Sequence, residues 1–310
     1  MPGIGVINNP RSRQNRKDPD RLRQLAYMLG TGGESKATWN FEELDLALAE
    51  FRERDIDILA INGGDGSNHV TLTHLINVYG DKPLPKIALL RGGTLNTISN
   101  ACGIKGSTHW LLYNLTEKYA KGEPFETIHR DLMKIGDMYG FLFGNGVVAN
   151  FMETYYTTGT PSPSHGAKVL ARAVGSAIVR GPLIKSWFKK LEATVTADGE
   201  VFPRQGWTTI MGAGISEIGL GFTPWPRCEE EPNSFHILMI DCSAIGILFD
   251  LPHMYFGRNI HPRVGHEFVA RNVVIEADHP WPYTIDGDMH VCQSGRMVLE
   301  VGPRLEIIRK

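Results

Sequence analysis

The sequence lacks a dominant charge, a cysteine framework, a basic leader and any apolar run long enough for a bilayer, and each gap removes a class of function. Lys and Arg number 32 against 34 Asp and Glu, a net charge of −2, so no overall basic field exists to hold nucleic acid. The four cysteines, Cys102, Cys228, Cys242 and Cys292, have no metal-ligand spacing and are too few for a disulfide framework. They read as buried free thiols in a reducing compartment. The 11 histidines include no His-x-x-x-His pair with a carboxylate, so the pattern predicts no zinc enzyme. The opening "MPGIGVINNP" has no positive leader and too short an apolar run for a signal peptide. The longest apolar stretches are strand-sized or interrupted by polar residues. A cytoplasmic protein is expected, reaching the inner membrane surface only as a transient peripheral guest. What is present is ordinary for a globular chain: 42% hydrophobic and 21% charged residues over 310 positions, enough for two domains with real cores.

The first third alternates strand and helix patterns. "GIGVINN", "ESKATW", "IDILAI" and "KIALL" read as strands. "DPDRLRQLAYML", "NFEELDLALAEFRERD", "HVTLTHLINVYG", "TISNACGI" and "HWLLYNLTEKYAKG" read as helices. Asn40 with Glu43 three residues on has the form of a capping box. Strict alternation predicts an α/β domain on a parallel sheet. Beyond Thr127 the texture changes to short β-like runs separated by Gly, Pro and Asp, which predicts an antiparallel β-rich sandwich. One helix, "HGAKVLARAVGSAIVRG", is expected there, and "TTGTPSPSHG" reads as a mobile loop. The predicted division is 1–128 for the α/β domain and 129–302 for the β-rich one. The last segment, 303–310, is expected to return to the first.

Two glycine-rich turns follow buried strands: Gly63-Gly64-Asp65-Gly66-Ser67 and Arg91-Gly92-Gly93-Thr94-Leu95-Asn96. A glycine turn between a parallel strand and a helix aims backbone N–H groups at an anion, and the helix start adds positive potential. Ligands of such sheets gather beyond the strands' carboxyl ends. Neither turn is a Walker A loop or a Gly-x-Gly-x-x-Gly fingerprint, and a Gly-Gly pair also serves plain tight turns. Asp65 beside a phosphate requires a cation between them, which magnesium supplies. A base for a substrate hydroxyl, or a turn aspartate bonding its own backbone, are the alternatives. A second acidic turn, "YTIDGDMH", carries Asp286 and Asp288 around Gly287. On the residues alone it reads first as an ordinary Asp-Gly hairpin.

Taken in order, these stretches resemble the diacylglycerol kinase catalytic-domain family, lipid kinases that include bacterial diacylglycerol, sphingosine and ceramide kinases, and more distantly NAD kinases. "INGGDGSNHV" resembles the family's Gly-Gly-Asp-Gly-Thr loop and "LLRGGTLNTISNACGI" its Gly-Thr-x-Asn loop. "NNPRSRQNRK", "KATWNFEEL" and "TIDGDMH" resemble supporting motifs. The resemblance implies ATP- and Mg2+-dependent transfer of the γ-phosphoryl group to a lipid hydroxyl, diacylglycerol first. Ceramide or sphingoid-base kinase, a soluble-acceptor enzyme of NAD kinase type, and an inactive lipid-binding homologue are the alternatives. It implies nucleotide contacts from Asn9, Thr38, Gly63, Gly64, Asp65, Gly66, Ser67, Gly93, Thr94 and Asn96. Asp65 and Asp286 are then the magnesium candidates, with Asp65, Asp286 and Asp288 as the catalytic set and Asp288 as general base. Asn150 falls at a substrate-binding position. The partner is a lipid at the membrane surface rather than nucleic acid, and a homodimer is compatible with the family reading. The sequence departs from the pattern at Ser67 (usually Thr), at Asn68-His69 (often Asn-Glu), at Arg13 (usually Gly), at Asp288 (usually Glu) and at Asn150 (Asp in sphingosine kinases).

Three further stretches stand out. His69 lies beside the loop, with helix surface as its plain reading. Lys185, Lys189 and Lys190 surround "SWF", suited to anionic headgroups, or else to a solvated edge over a buried Trp187. "ILFDLPHMYFG" is apolar and aromatic without a clear period, fitting an acyl pocket, a membrane contact or core.

Overall fold

The computed structural model describes residues 3–18 and 20–309. The chain divides into two compact units, Met1–Arg130 with Arg304–Lys310, and Asp131–Pro303.

The first unit alternates strands and helices. In order they are β1 (Ile4–Asn8), α1 (Arg13–Lys17), α2 (Arg21–Leu29), β2 (Gly33–Ala37), α3 (Phe41–Glu53), β3 (Ile58–Asn62), α4 (Asp65–Tyr79), β4 (Lys86–Leu89), α5 (Thr97–Ala101) and α6 (Thr108–Lys121). The strands lie parallel in the order β2-β1-β3-β4. Strands β1 and β3 are buried at every position, the mark of a parallel sheet covered on both faces. Ile4, Val6, Ile58, Ala60, Ala88 and Leu90 share one face with Leu25, Leu29, Leu112 and Leu115 of α2 and α6. On the other face, Gly5 leaves room for the Phe51 ring of α3, which a Cβ would meet at 2.8 Å. The predicted cap of α3 is present. Asn40 Oδ1 accepts the Glu43 N–H at 2.8 Å, and the Glu43 carboxylate accepts the Trp39 N–H at 2.7 Å.

The second unit is a sandwich. Its further elements are β5 (Thr127–Ile135), β6 (Met138–Gly140), β7 (Leu142–Asn145), α7 (Val147–Thr157), α8 (Pro163–Ile178), α9 (Pro182–Trp187), β8 (Leu191–Ala197), β9 (Glu200–Trp207), β10 (Thr209–Ala213), β11 (Phe235–Ile240), α10 (Ala244–Tyr255), β12 (Gly265–Ala270), β13 (Asn272–Ala277), β14 (Trp281–Ile285), β15 (Asp288–Cys292) and β16 (Arg296–Ile308). One antiparallel sheet runs β12-β11-β10-β7-β14-β15, and a second set runs β16-β13-β8-β9. Phe143, Ile210, Ile237 and Ile285 from the first meet Val195, Val273, Ile275 and Leu299 from the second in one core. The strands β5 and β16 carry the chain through the two divisions. The last part of β16 lies beside β4, Ile307 opposite Ile87 in parallel, and Lys86 bonds Glu306 at 2.6 Å.

Two sequence expectations fail in this unit. A single helix was predicted, yet α7, α8, α9 and α10 all occur among the described residues. α7 and α10 cover a face of the six-stranded sheet, where Val148, Ile247 and Met254 pack on Met211, Leu238 and Ile240, and α8 and α9 pack against α7 and α10. The apolar residues of α10 lie on both its buried and its exposed sides, with Phe249 81% exposed, so no 3.6-residue contrast marks it as amphipathic. The Pro/Ser-rich stretch is in part a helix start. Ser162 Oγ accepts the His165 N–H at 3.1 Å with Pro163 in the first turn, the usual entry chemistry of a helix. No described helix is long and apolar enough to cross a membrane.

Candidate functional site

In the first unit the carboxyl ends of β1, β3 and β4 converge on a knot of asparagines and glycines. Asn8 and Asn62 are register partners on adjacent strands, and both are buried. Asn62 Nδ2 donates to Asn8 Oδ1 at 2.8 Å and to Asn15 Oδ1 at 3.2 Å. Asn9 continues the line: its backbone N–H donates to Asn62 O at 3.1 Å and its Nδ2 to Ser67 Oγ at 2.8 Å. Thr38, half-buried, closes the neighbouring strand end by donating its N–H to Asn8 O at 3.0 Å. The helix α1 braces the second glycine turn, because Gln14 Nε2 donates to Arg91 O at 3.0 Å and to Gly93 O at 3.3 Å.

The two glycine turns interlock. A Cβ on Gly93 would stand 2.3 Å from Gly64 Cα, and one on Gly92 2.5 Å from Asn62 Oδ1. A Cβ on Gly63 would lie 2.2 Å from Ser67 Cβ. A side chain at Gly93 would push the turns apart, and one at Gly92 or Gly63 would collide with Asn62 or Ser67, so close packing requires these glycines. Asn96, buried and at φ 51°, folds the second turn by accepting the Gly93 N–H at 3.1 Å. Thr94 and Gly66 are half-buried beside it.

Asp65 joins the two turns. Its carboxylate accepts the backbone N–H groups of Thr97 at 3.0 Å and Ile98 at 3.1 Å. It therefore caps the start of α5 from another part of the chain. Burial pushes the Asp65 carboxyl above the ordinary carboxylate range, against the lowering effect of those two N–H groups and of the Arg91 charge. The Thr97 hydroxyl bonds the same carboxylate, and a half-buried carboxylate beside a phosphate-binding turn fits a divalent cation. Asn62 Oδ1, buried beside Gly92 without a hydrogen-bond partner, adds an oxygen acceptor. The residues of this unit thus fit nucleotide phosphates with magnesium.

In the second unit Asp286 and Gly287 form the two-residue turn of the β14–β15 hairpin, both at positive φ, 49° and 94°. This is the conformation Asp-Gly serves in tight hairpins. The Asp286 carboxylate is buried and accepts the N–H of Leu142 at 2.8 Å and that of Phe141 at 3.0 Å through Oδ1. Its Oδ2 also lies 3.2 Å from Phe141 N. That geometry gives Asp286 a structural role, holding the β6–β7 connection to the hairpin. Asp288, half-buried, opens β15 on the far side of the turn. Met152 and Tyr156 of α7 border Gly287. Asn150 lies in α7, where its Nδ2 donates to Trp187 O at 3.0 Å and so ties α9 to α7.

Three sequence readings resolve here. His69 is 2% exposed within α4, not on a helix surface. Trp187 is buried, its Nε1 donating to Thr154 Oγ1 at 3.2 Å. "ILFDLPHMYFG" falls in α10 and the turn after it, with Phe249 and Phe256 exposed. Sequence reasoning missed Asn8, Gln14, Asn15 and Asn62. The asparagines that end both β1 and β3 were the available signal.

Residues 3–123 match the diacylglycerol kinase catalytic domain family. No curated protein matches the chain by sequence. Among solved structures it is similar to a diacylglycerol kinase from Bacillus anthracis str. Sterne, at 15% identity and TM-score 0.66, over 99% of this chain and 97% of that one. A second Bacillus anthracis structure, provisionally assigned to the diacylglycerol kinases, gives 14% identity and TM-score 0.72 over the same shares. Yeast NADH kinase complexed with NADH gives 8% identity and TM-score 0.53, over 99% of this chain and 83% of that one. At these identities the structures speak to the fold, which is that of the diacylglycerol and NAD kinases.

Proposed function

We propose, from the match of residues 3–123 to the diacylglycerol kinase catalytic domain family, that the chain transfers the γ-phosphoryl group of ATP to a lipid hydroxyl, diacylglycerol being the first acceptor. The observation that carries this reading is the interlocked pair of glycine turns at the ends of β3 and β4, with the Asp65 carboxylate between them. Phosphoryl transfer asks for positioned phosphates and neutralised charge more than for covalent chemistry.

The chain's own residues would divide that work. Backbone N–H groups of the Gly63–Ser67 turn and the start of α4 would face the phosphates, with Thr94 and Asn96 shaping the second turn around them and Asn9 and Thr38 at the neighbouring strand ends. Asp65 would hold magnesium, which when bound screens the phosphate charge and polarises the transferred group. Asp288 would accept the proton of the lipid hydroxyl, and Asn150 is proposed on the acceptor side. Of the two magnesium candidates the reading places Asp65 first, since it lies between the two glycine turns, whereas Asp286 lies in a hairpin turn of the second unit. The acceptor would be met at the inner membrane surface by a cytoplasmic protein. The exposed Ile178, Val179, Phe249 and Phe256 of the second unit, with Arg180 and Lys185 nearby in sequence, suit such contact.

The test is phosphorylation with radiolabelled ATP and Mg2+ over a panel of lipids in mixed micelles, with NAD as a soluble arm and product chromatography. Micelle-dependent labelling of diacylglycerol supports the proposal, and labelling of ceramide or a sphingoid base instead would reassign the acceptor. Turnover with NAD alone would replace the proposal with the soluble-acceptor reading. Nucleotide binding without turnover in any arm would leave an inactive homologue. Asp288→Asn should lower kcat at least about 100-fold with little change in the KM for ATP.

A further inference from the structure

In the second unit, away from the turns discussed above, one carboxylate and two imidazoles converge. Asp250, His253 and His261 each offer a ligand atom, and these atoms lie within 4.8 Å of one another. Asp250 and His253 stand three residues apart in the last turns of α10, so they share a helix face. The chain leaves α10 at Phe256, turns through Gly257 at φ 62° and brings His261 back. Asp250 Oδ1 is 2.6 Å from His261 Nδ1 and 3.9 Å from His253 Nδ1. The two rings stack with centroids 4.3 Å apart and planes 25° apart.

Asp250 is 1% exposed, and its second oxygen is buried with no hydrogen-bond partner. A buried carboxylate needs a compensating charge. A divalent cation answers all three groups at once: it balances the carboxylate and uses a ring-nitrogen lone pair from each histidine. Zinc–nitrogen and zinc–oxygen bonds of about 2.0–2.2 Å at tetrahedral angles set ligand atoms roughly 3.3–3.5 Å apart. The observed 2.6 Å and 3.9 Å bracket that span, so small ring rotations would suffice. Imidazole donors favour zinc and its neighbours over magnesium. His253 is partly and His261 largely open to water, which gives an entry path and a place for a fourth, solvent ligand.

We propose that Asp250, His253 and His261 form a binding site for a divalent transition metal, Zn2+ foremost, completed by water. The site would fasten the end of α10 to the segment before β12. That segment is already held one residue away, where Glu267 Oε2 accepts the Ile260 N–H at 2.6 Å. It is independent of the magnesium proposed at Asp65.

The test titrates chelator-stripped full-length protein with ZnCl2 by calorimetry and with CoCl2 by visible absorption. One equivalent should bind, with the cobalt spectrum of a tetrahedral site and a raised Tm. His253→Gln and His261→Gln, both at partly exposed positions that spare the fold, should each weaken binding at least about tenfold. Asp65→Asn and His279→Gln should leave it unchanged. The proposal is overturned if the wild type binds no metal, if the His253→Gln/His261→Gln double variant binds as well as the wild type, or if His279→Gln removes the binding.

Discussion

Asp65 lies in the first glycine turn and Ile98 in the helix α5 that follows the second, yet the Asp65 carboxylate accepts the Ile98 backbone N–H at 3.1 Å, beside that of Thr97. The aspartate that a phosphate-binding reading assigns to magnesium is also the cap that starts α5. Its substitution should therefore reveal both roles.

Asp65→Ala removes the acceptor for two N–H groups and is expected to cost about 1–3 kcal/mol of stability. Asp65→Asn keeps a carbonyl oxygen and should cost less. Both lose the negative charge, so both should abolish lipid phosphorylation. Thermal melting and radiolabel transfer, measured together, separate the two effects. Wild-type turnover in Asp65→Asn would show that the charge has no catalytic use.

Glycine substitutions should divide by sign. Gly93→Ala places a Cβ 2.3 Å from Gly64 Cα, forcing the turns apart, and should abolish nucleotide binding by calorimetry. Gly175, exposed within α8 with nothing within 4 Å of its Cβ position, should do the opposite. Gly175→Ala is expected to stabilise by about 0.5–1 kcal/mol, read as a higher Tm with unchanged activity.

Asp286→Asn tests the structural role of the second acidic turn. The variant loses charge-assisted bonds to the N–H groups of Phe141 and Leu142 and should destabilise the protein by about 1.5–3 kcal/mol. The loss should be equal with and without nucleotide and magnesium. A defect seen only in the presence of magnesium would instead restore Asp286 as a metal ligand.

His236 gives a pH dependence. It is fully buried, and burial, with the Arg227 charge second, lowers its pKa to about 3. Its Nδ1 accepts the Arg227 backbone N–H at 3.3 Å, which a protonated ring could not do. Because the folded pKa lies below the unfolded one, the stability it contributes is complete above about pH 6.5 and is lost as pH falls toward about 3. Between pH 7 and pH 5 the loss should be about 2 kcal/mol, or roughly 4–8 °C in Tm. His236→Asn should flatten that slope in melting experiments. An unchanged slope would assign the acid sensitivity elsewhere.

Much of the fold was legible locally. The alternation of buried strands with amphipathic helices, the Asn40–Glu43 cap and the two glycine turns are all patterns of neighbouring residues, governed by backbone preference and period. The helices of the second unit were less legible. In α10 apolar residues occupy exposed positions such as Phe249 as well as buried ones, and the spacing signal disappears. The asparagine ladder was half visible: Asn8 and Asn62 each end a strand, but only the parallel register puts them opposite each other.

By itself the sequence determined the parallel α/β unit and the β-rich unit. Those follow from steric and hydrophobic rules that act over a few residues. The tertiary structure alone decided what the carboxylates do. Asp65 meets its N–H partners 32 and 33 residues away, and Asp286 meets Phe141 across 145. His261 returns to Asp250 only after the chain has left α10 and turned at Gly257. A carboxylate's role depends on which donors and charges surround it once water is excluded, and at these separations sheet register and helix packing, not local spacing, choose those neighbours.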